Sequence, residues 1–133
     1  MAKKRSLHGL GELQAEVMEI VWDLGEATVS QVHERVCKGR DALYTTVLVA
    51  MQKLEKSGWL KHRKEGRANV YMPKRSREAS QGRLLKDVLK QVFEGDPQVL
   101  LSRLLDQHPM SDDELADLKK LIDARRREKK RNE

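Results

Sequence analysis

A change of period halfway along this chain limits its fold more than any other feature. Up to Gly58 the apolar residues recur every three or four positions, as on one face of a helix. They then give way to two short strand-like runs, Trp59-Leu-Lys-His-Arg-Lys64 and Arg67-Ala-Asn-Val-Tyr-Met72, about a Glu65-Gly66 turn. That is the signature of one β-hairpin set among helices, and Pro73 closes it.

Three helices are expected before the hairpin. The first, from about Leu10 to Leu24, carries Leu13, Val17, Ile20, Val21 and Leu24 on one stripe, with Gly25 as its stop. Thr28-Val-Ser-Gln31 has the form of a capping box, opening a second short helix to about Lys38 that buries Val29, Val32 and Val36. Gly39 breaks it, and Asp41 sits just ahead of a third helix spanning roughly Ala42 to Ser57. On that helix Leu43, Tyr44, Val47, Ala50, Met51 and Leu54 share one arc, while Thr45, Val49, Gln52 and Lys56 project from the other side, flanked by Thr46 and Lys53. Helix, helix, helix and hairpin is the order of a winged helix-turn-helix.

Helical spacing returns from Ser76 to Glu94, is broken at Gly95-Asp-Pro97, and resumes in a short apolar helix from Gln98 to Gln107. Ser111-Asp-Asp-Glu114 is a second capping box, opening a last helix whose tail from Arg125 reads as a frayed, charged end. These later helices carry more leucine than they can bury alone, so a second copy of the chain is the economical cover. The expected dimer interface is Leu85, Val88, Leu89, Val92, Leu100, Leu101, Leu104, Leu105, Leu118, Leu121 and Ile122. The fold class is thus mainly α with a small β-hairpin: a winged-helix DNA-binding domain over residues 1–75 and a helical dimerisation domain over residues 76–133.

Charge points to a polyanion. The chain of 133 residues carries a net charge of +6, yet residues 38–75 alone hold ten basic side chains against three acids, so the rest is close to neutral. Its one cysteine, Cys37, excludes an internal disulfide and fits a reducing cytoplasm. No run approaches the roughly 20 apolar residues that span a bilayer, and the basic start, Met1 to His8, lacks the apolar stretch of a signal peptide. The acidic Asp112-Asp113-Glu114 trio is explained by the dipole of a helix's first turn. With no nucleophile elbow, phosphate loop or metalloprotease pair, an enzyme is not expected.

The expected DNA-binding residues are Tyr44, Thr45, Thr46, Val49, Gln52 and Lys53 on the third helix and Arg63, Lys64 and Arg67 around the hairpin turn, beside Lys61. Gln52 has the geometry for a bidentate contact to adenine, and Val49 for a thymine methyl. The hairpin cations suit the phosphate backbone, which would make binding strongly salt-dependent. Trp59 and Tyr71 are expected in the core, not as base-stacking platforms. His33 and Cys37, four apart on the second helix, have a spacing that can present two metal ligands. With Val32 and Val36 on the adjacent buried face, Cys37 reads instead as a semi-buried small hydrophobe, and no cofactor is expected.

The run Tyr44-Thr-Thr-Val47, then Met51, Lys53-Leu54, Gly58-Trp-Leu60 and Lys64-Glu-Gly-Arg67 ending in Tyr71, resembles the penicillinase-repressor (BlaI/MecI/CopY) family. Leu10-Gly-Glu-Leu13, Val17-Met18 and Val21-Trp22 fit the same family's first helix, and the resemblance extends to about Ile122. It implies a homodimer that represses transcription from a two-fold symmetric operator on double-stranded DNA. Base readers would map to Thr45, Thr46 and Val49, near Tyr44, and backbone contacts to Lys53 and Arg67. It also implies an unidentified sensor or protease that relieves repression.

The chain departs from that pattern in places. Lys53 stands where arginine is usual, Ser57 where lysine is common and Ala42 where tryptophan is frequent. Val49-Ala50 replaces a threonine-rich pair. Arg103-Leu104 occupies the place of the Asn-Phe bond cleaved in antibiotic-responsive members, and the paired terminal cysteines of the copper-responsive branch are absent. Two other readings stay open at this point: a metal- or ligand-responsive repressor using His33 and Cys37, and a winged-helix module that binds protein.

Overall fold

A computed structural model describes residues 9–133; the basic opening segment, residues 1–8, lies outside the described residues. The element order is α1 (Glu12–Leu24), β1 (Ala27–Thr28), α2 (Val29–Cys37), α3 (Tyr44–Lys56), β2 (Leu60–Glu65), β3 (Ala68–Pro73), α4 (Arg77–Val92), α5 (Pro97–Gln107) and α6 (Asp112–Arg131). Up to the hairpin this is a winged helix.

Local chemistry explains most of the boundaries. Helix α1 stops at Gly25, whose φ of +83° only glycine adopts without strain and whose N–H donates to the Val21 carbonyl at 2.8 Å. Thr28 caps α2: its Oγ1 accepts from the Gln31 N–H at 3.2 Å, and its own N–H donates to Gln31 Oε1 at 2.8 Å. Thr28→Ala is expected to cost about 1 kcal/mol of stability, read as a lower midpoint in urea with an unchanged slope. A loss below a few tenths would show that the box contributes nothing.

The core lies between the three helices and the sheet. Val17, Met18 and Val21 of α1, Val32 and Val36 of α2, and Val47, Met51 and Leu54 of α3 are fully buried against Leu60 and Tyr71 of the strands. Each such side chain contributes roughly 1.5–3 kcal/mol of transfer free energy, which offsets the entropy of ordering the chain. Three positions placed on the apolar stripes are open, Tyr44 among them at 45% exposed. Leu24, the last residue of α1, is 41% exposed, and Leu43 is 72% exposed. Leu43 is the N-cap of α3, with extended backbone at φ −78°, so it does not continue the helical arc on which its spacing placed it.

The sheet has three antiparallel strands in the order β1-β3-β2, one more than the hairpin alone. Ala27 pairs with Tyr71 and Thr28 with Val70, which makes β3 the central strand and β2 the edge. The expected Glu65-Gly66 turn moves by one residue. Glu65 pairs with Ala68, leaving Gly66 and Arg67 as the two loop residues. Gly66 has φ +63°, as a tight hairpin with glycine first requires. Arg67 thereby leaves the strand and stands at the tip.

The chain divides into two compact units, one ending at Asp87 and one from Val88 onward. The boundary expected between residues 75 and 76 falls inside the first unit, because the start of α4 packs there. Trp22 Nε1 donates to the Arg75 carbonyl at 2.8 Å, Arg77 reaches Asp23 at 2.7 Å and Glu19 at 3.1 Å, and Ser80 is buried. The second unit holds the end of α4, α5 and α6. Asp96 caps α5 through the Gln98 N–H, and Ser111 and Glu114 form the capping box of α6. Helix α6 does not fray at Arg125 but runs to Arg131. Lysine and arginine are good helix formers and favour the negative end of the helix dipole. No described helix is long and apolar enough to cross a membrane.

Candidate nucleic-acid interface

Helix α3 divides its residues sharply. Val47, Ala50, Met51 and Leu54 face the core, and Tyr44, Thr45, Thr46, Val49, Gln52 and Lys53 are exposed. No side chain caps the start of α3; the Thr46 and Val47 N–H groups both donate to the Leu43 carbonyl, at 3.1 and 3.2 Å. Asp41, expected just ahead of the helix, does not serve as its cap. Tyr44 is held at one end by an edge-on contact with the His33 ring, centroids 5.8 Å apart.

An open groove of about 760 Å³ runs beside α3, lined by Thr45, Thr46, Val49 and Lys53 on one side and by Gly11 to Gln14 and Arg40 on the other. The N-terminal end of α1 therefore borders the exposed face of α3. Sequence reasoning missed this neighbour, because α1 and α3 meet only through the packing of the core. Arg40 reaches Glu16 at 2.6 Å.

The hairpin presents its cations unequally. Every residue of β2 after Leu60 is exposed, as on an edge strand guarded by charge. Arg63 is already engaged: its guanidinium donates to both carboxylate oxygens of Glu26, at 2.7 and 3.0 Å, and to Glu65 at 3.1 Å. These bonds hold the Glu26 carboxyl below the usual carboxylate range and push the guanidinium of Arg63 still higher, so both stay charged. Among the described residues Lys53, Lys61, Lys64 and Arg67 have no such ion pair. The wing is tied to α3 by His62, whose Nδ1 lies 2.8 Å from Glu55 Oε1 and whose ring lies 5.4 Å from that of Tyr71. Tyr71 and Trp59 are buried, as expected, with Trp59 edge-on to Trp22 at 6.3 Å. Burial pushes the Tyr71 phenol up, so it stays neutral.

His33 and Cys37 are close, Nε2 to Sγ 3.3 Å, but both turn toward the Ala42 carbonyl, at 2.7 and 3.5 Å. They clasp the turn between α2 and α3. No group of three possible metal ligands occurs among the described residues.

The second unit looks quite different. No described residue after Ser80 is buried. Val92, Leu101, Leu104, Leu105, Leu121 and Ile122 are all between 37% and 66% exposed, Val88, Leu89, Leu100 and Leu118 are half-buried, and Leu85, at the end of the first unit, is 55% exposed.

Residues 10–124 match the model of a family described as "Penicillinase repressor". The chain belongs to the penicillinase repressor family. That family is one of repressors and not of enzymes. Within it, this penicillinase repressor relative is 37% identical over 83 residues to "Transcriptional regulator BlaI" of Mycobacterium tuberculosis, a stretch covering 62% of this chain. The chain spans 60% of the length of that curated relative. It is 22% identical over 121 residues to the "Penicillinase repressor" of Bacillus licheniformis, covering 91% of this chain and 94% of that one. Among solved structures, the DNA binding domain of the repressor BlaI is 27% identical, with a TM-score of 0.46, covering 53% of this chain and 85% of that domain.

Proposed function

We infer that this chain is a transcriptional repressor that binds double-stranded DNA as a homodimer on a two-fold symmetric operator. One observation carries the reading: α3 is fully buried on one side, while the other offers hydroxyls, an amide, an apolar contact and a lysine to solvent. A helix of this kind fits a major groove. Thr45, Thr46, Val49 and Gln52, with Tyr44, are assigned to base edges, where hydroxyls serve as donor or acceptor and Gln52 suits adenine. Lys53, Lys64 and Arg67 are assigned to phosphates. Arg63 is assigned to the same surface with a different part. It braces the wing through Glu26 and Glu65, and its direct contact with DNA would require breaking those bonds.

The apolar faces of α4, α5 and α6 support pairing with a second copy. An isologous contact would cover the same leucines on both chains and set two α3 helices for successive major grooves, about 34 Å apart. Repression then follows by occupying the operator, in the compartment where the DNA lies. The clasp of His33 and Cys37 on Ala42 favours a structural part for that pair over metal sensing.

The wing is tested by Arg67→Ala. Because Arg67 sits at the exposed tip of the turn, its loss is expected to weaken binding to selected and random duplexes alike. The slope of log affinity against log salt should fall by about one. Fluorescence anisotropy across a salt series reads both. An unchanged slope with unchanged affinity would remove the wing from the interface.

A further inference from the structure

Beneath the first turns of α4, within the first unit, lies a second groove of about 490 Å³. Its lining includes the Trp59 indole, Ala79 and Leu84, and the cations Lys74, Arg75 and Arg83 against the single carboxylate of Asp87. The Arg75 guanidinium lies 4.8 Å from the centre of the Trp59 ring. Ser76, at the start of α4, accepts from the Ala79 N–H at 3.0 Å, which leaves its hydroxyl proton to donate.

Ser80 distinguishes this groove from an ordinary surface hollow. It is only 6% exposed, lines the groove, and its hydroxyl has no hydrogen-bond partner among the described residues. A buried polar group without a partner is unfavourable, and a bound group that hydrogen-bonds to it relieves the cost. The neighbouring cations and the positive end of α4 select for negative charge. The volume falls in the range of small-molecule sites, roughly 300–1,000 Å³.

We propose that this groove binds a small organic anion, one acidic head on a flat apolar body, with the body on Trp59 and the head among Arg75, Arg83 and the Ser80 hydroxyl. Neither Trp59 nor Ser80 takes part in the DNA-binding surface, and the proposal does not depend on that reading.

The test uses the full chain, labelled with nitrogen-15 and without DNA, so a failure here leaves the DNA-binding reading intact. Naphthoate is titrated while the indole N–H resonances of Trp59 and Trp22 are followed, with naphthalenemethanol as the neutral probe of the same body. Naphthoate is expected to shift the Trp59 indole saturably and to bind at least about tenfold more tightly than the alcohol, the size expected for a charge-assisted hydrogen bond. Arg83→Gln, at an exposed position, should remove that preference and leave the alcohol unaffected. Ser80→Ala should weaken naphthoate without unfolding the chain. Equal binding of acid and alcohol would overturn the proposal. So would shifts confined to residues 88–133, or an unaltered affinity in both variants.

Discussion

Leu54→Ala is expected to lower the folding stability by about 3 kcal/mol, within the roughly 2–5 kcal/mol typical of buried leucine truncations. Leu54 is fully buried in the core cluster, and the Trp59 N–H donates to its carbonyl at 2.9 Å where α3 turns into the wing. The substitution leaves a cavity where α3 meets the strands. In a domain this small, where each kcal/mol moves the midpoint by about 4–8 °C, thermal denaturation should show a fall of well over 10 °C. Operator binding would then fail above the new midpoint simply because α3 is no longer held.

Gln52→Ala, two residues earlier on the same helix, is the matched contrast. Gln52 is exposed, so its loss should change stability by less than about 0.5 kcal/mol. It should instead relax preference at one base pair by about 1–3 kcal/mol, seen by competition between operator variants. If Gln52→Ala destabilised the fold as much as Leu54→Ala, the division of α3 into inner and outer faces would be wrong. A Gln52 variant with intact base preference would remove that residue from the reading surface.

The second large effect concerns assembly. Leu101 and Leu104 lie on α5, 37% and 44% exposed, in a unit with no buried residue. Replacing both with glutamate puts charge where the proposed interface would exclude water. The variant is expected to sediment as a monomer of 15.4 kDa instead of twice that mass. Operator affinity should drop by about 100-fold or more, because two linked half-site contacts become two independent ones. The first unit should melt as before, since none of its buried residues is touched. A variant that still sediments as a dimer and binds with full affinity would place the interface elsewhere.

Features set by neighbouring residues were legible in the chain itself. The Thr28/Gln31 and Ser111/Glu114 boxes, the Gly25 stop and the burial of Val32, Val36, Val47 and Met51 all follow from short spacings, and each is found. The candidate face of α3 was readable for the same reason, as the complement of a 3.6-residue stripe. Leu43 was misplaced because periodicity cannot tell the first helical residue from the cap before it.

Long-range pairing escaped such reading. Strand β1 has only two residues, and Ala27 and Thr28 become a strand only because β3 comes to lie beside them. Arg63 reads as one more wing cation until Glu26, 37 positions away, is brought against it. The approach of the α1 N-terminus to α3, and the unpartnered Ser80 hydroxyl beneath α4, likewise depend on elements meeting in space.

Amino-acid order alone thus dictated the helices, the hairpin and the amphipathic faces, because capping, turn chemistry and side-chain periodicity act over a few residues. Which cations are held in internal pairs, what borders the exposed face of α3 and where α4 is anchored were settled by close packing. Those outcomes require groups far apart in the chain to exclude the same solvent, and no local pattern encodes that.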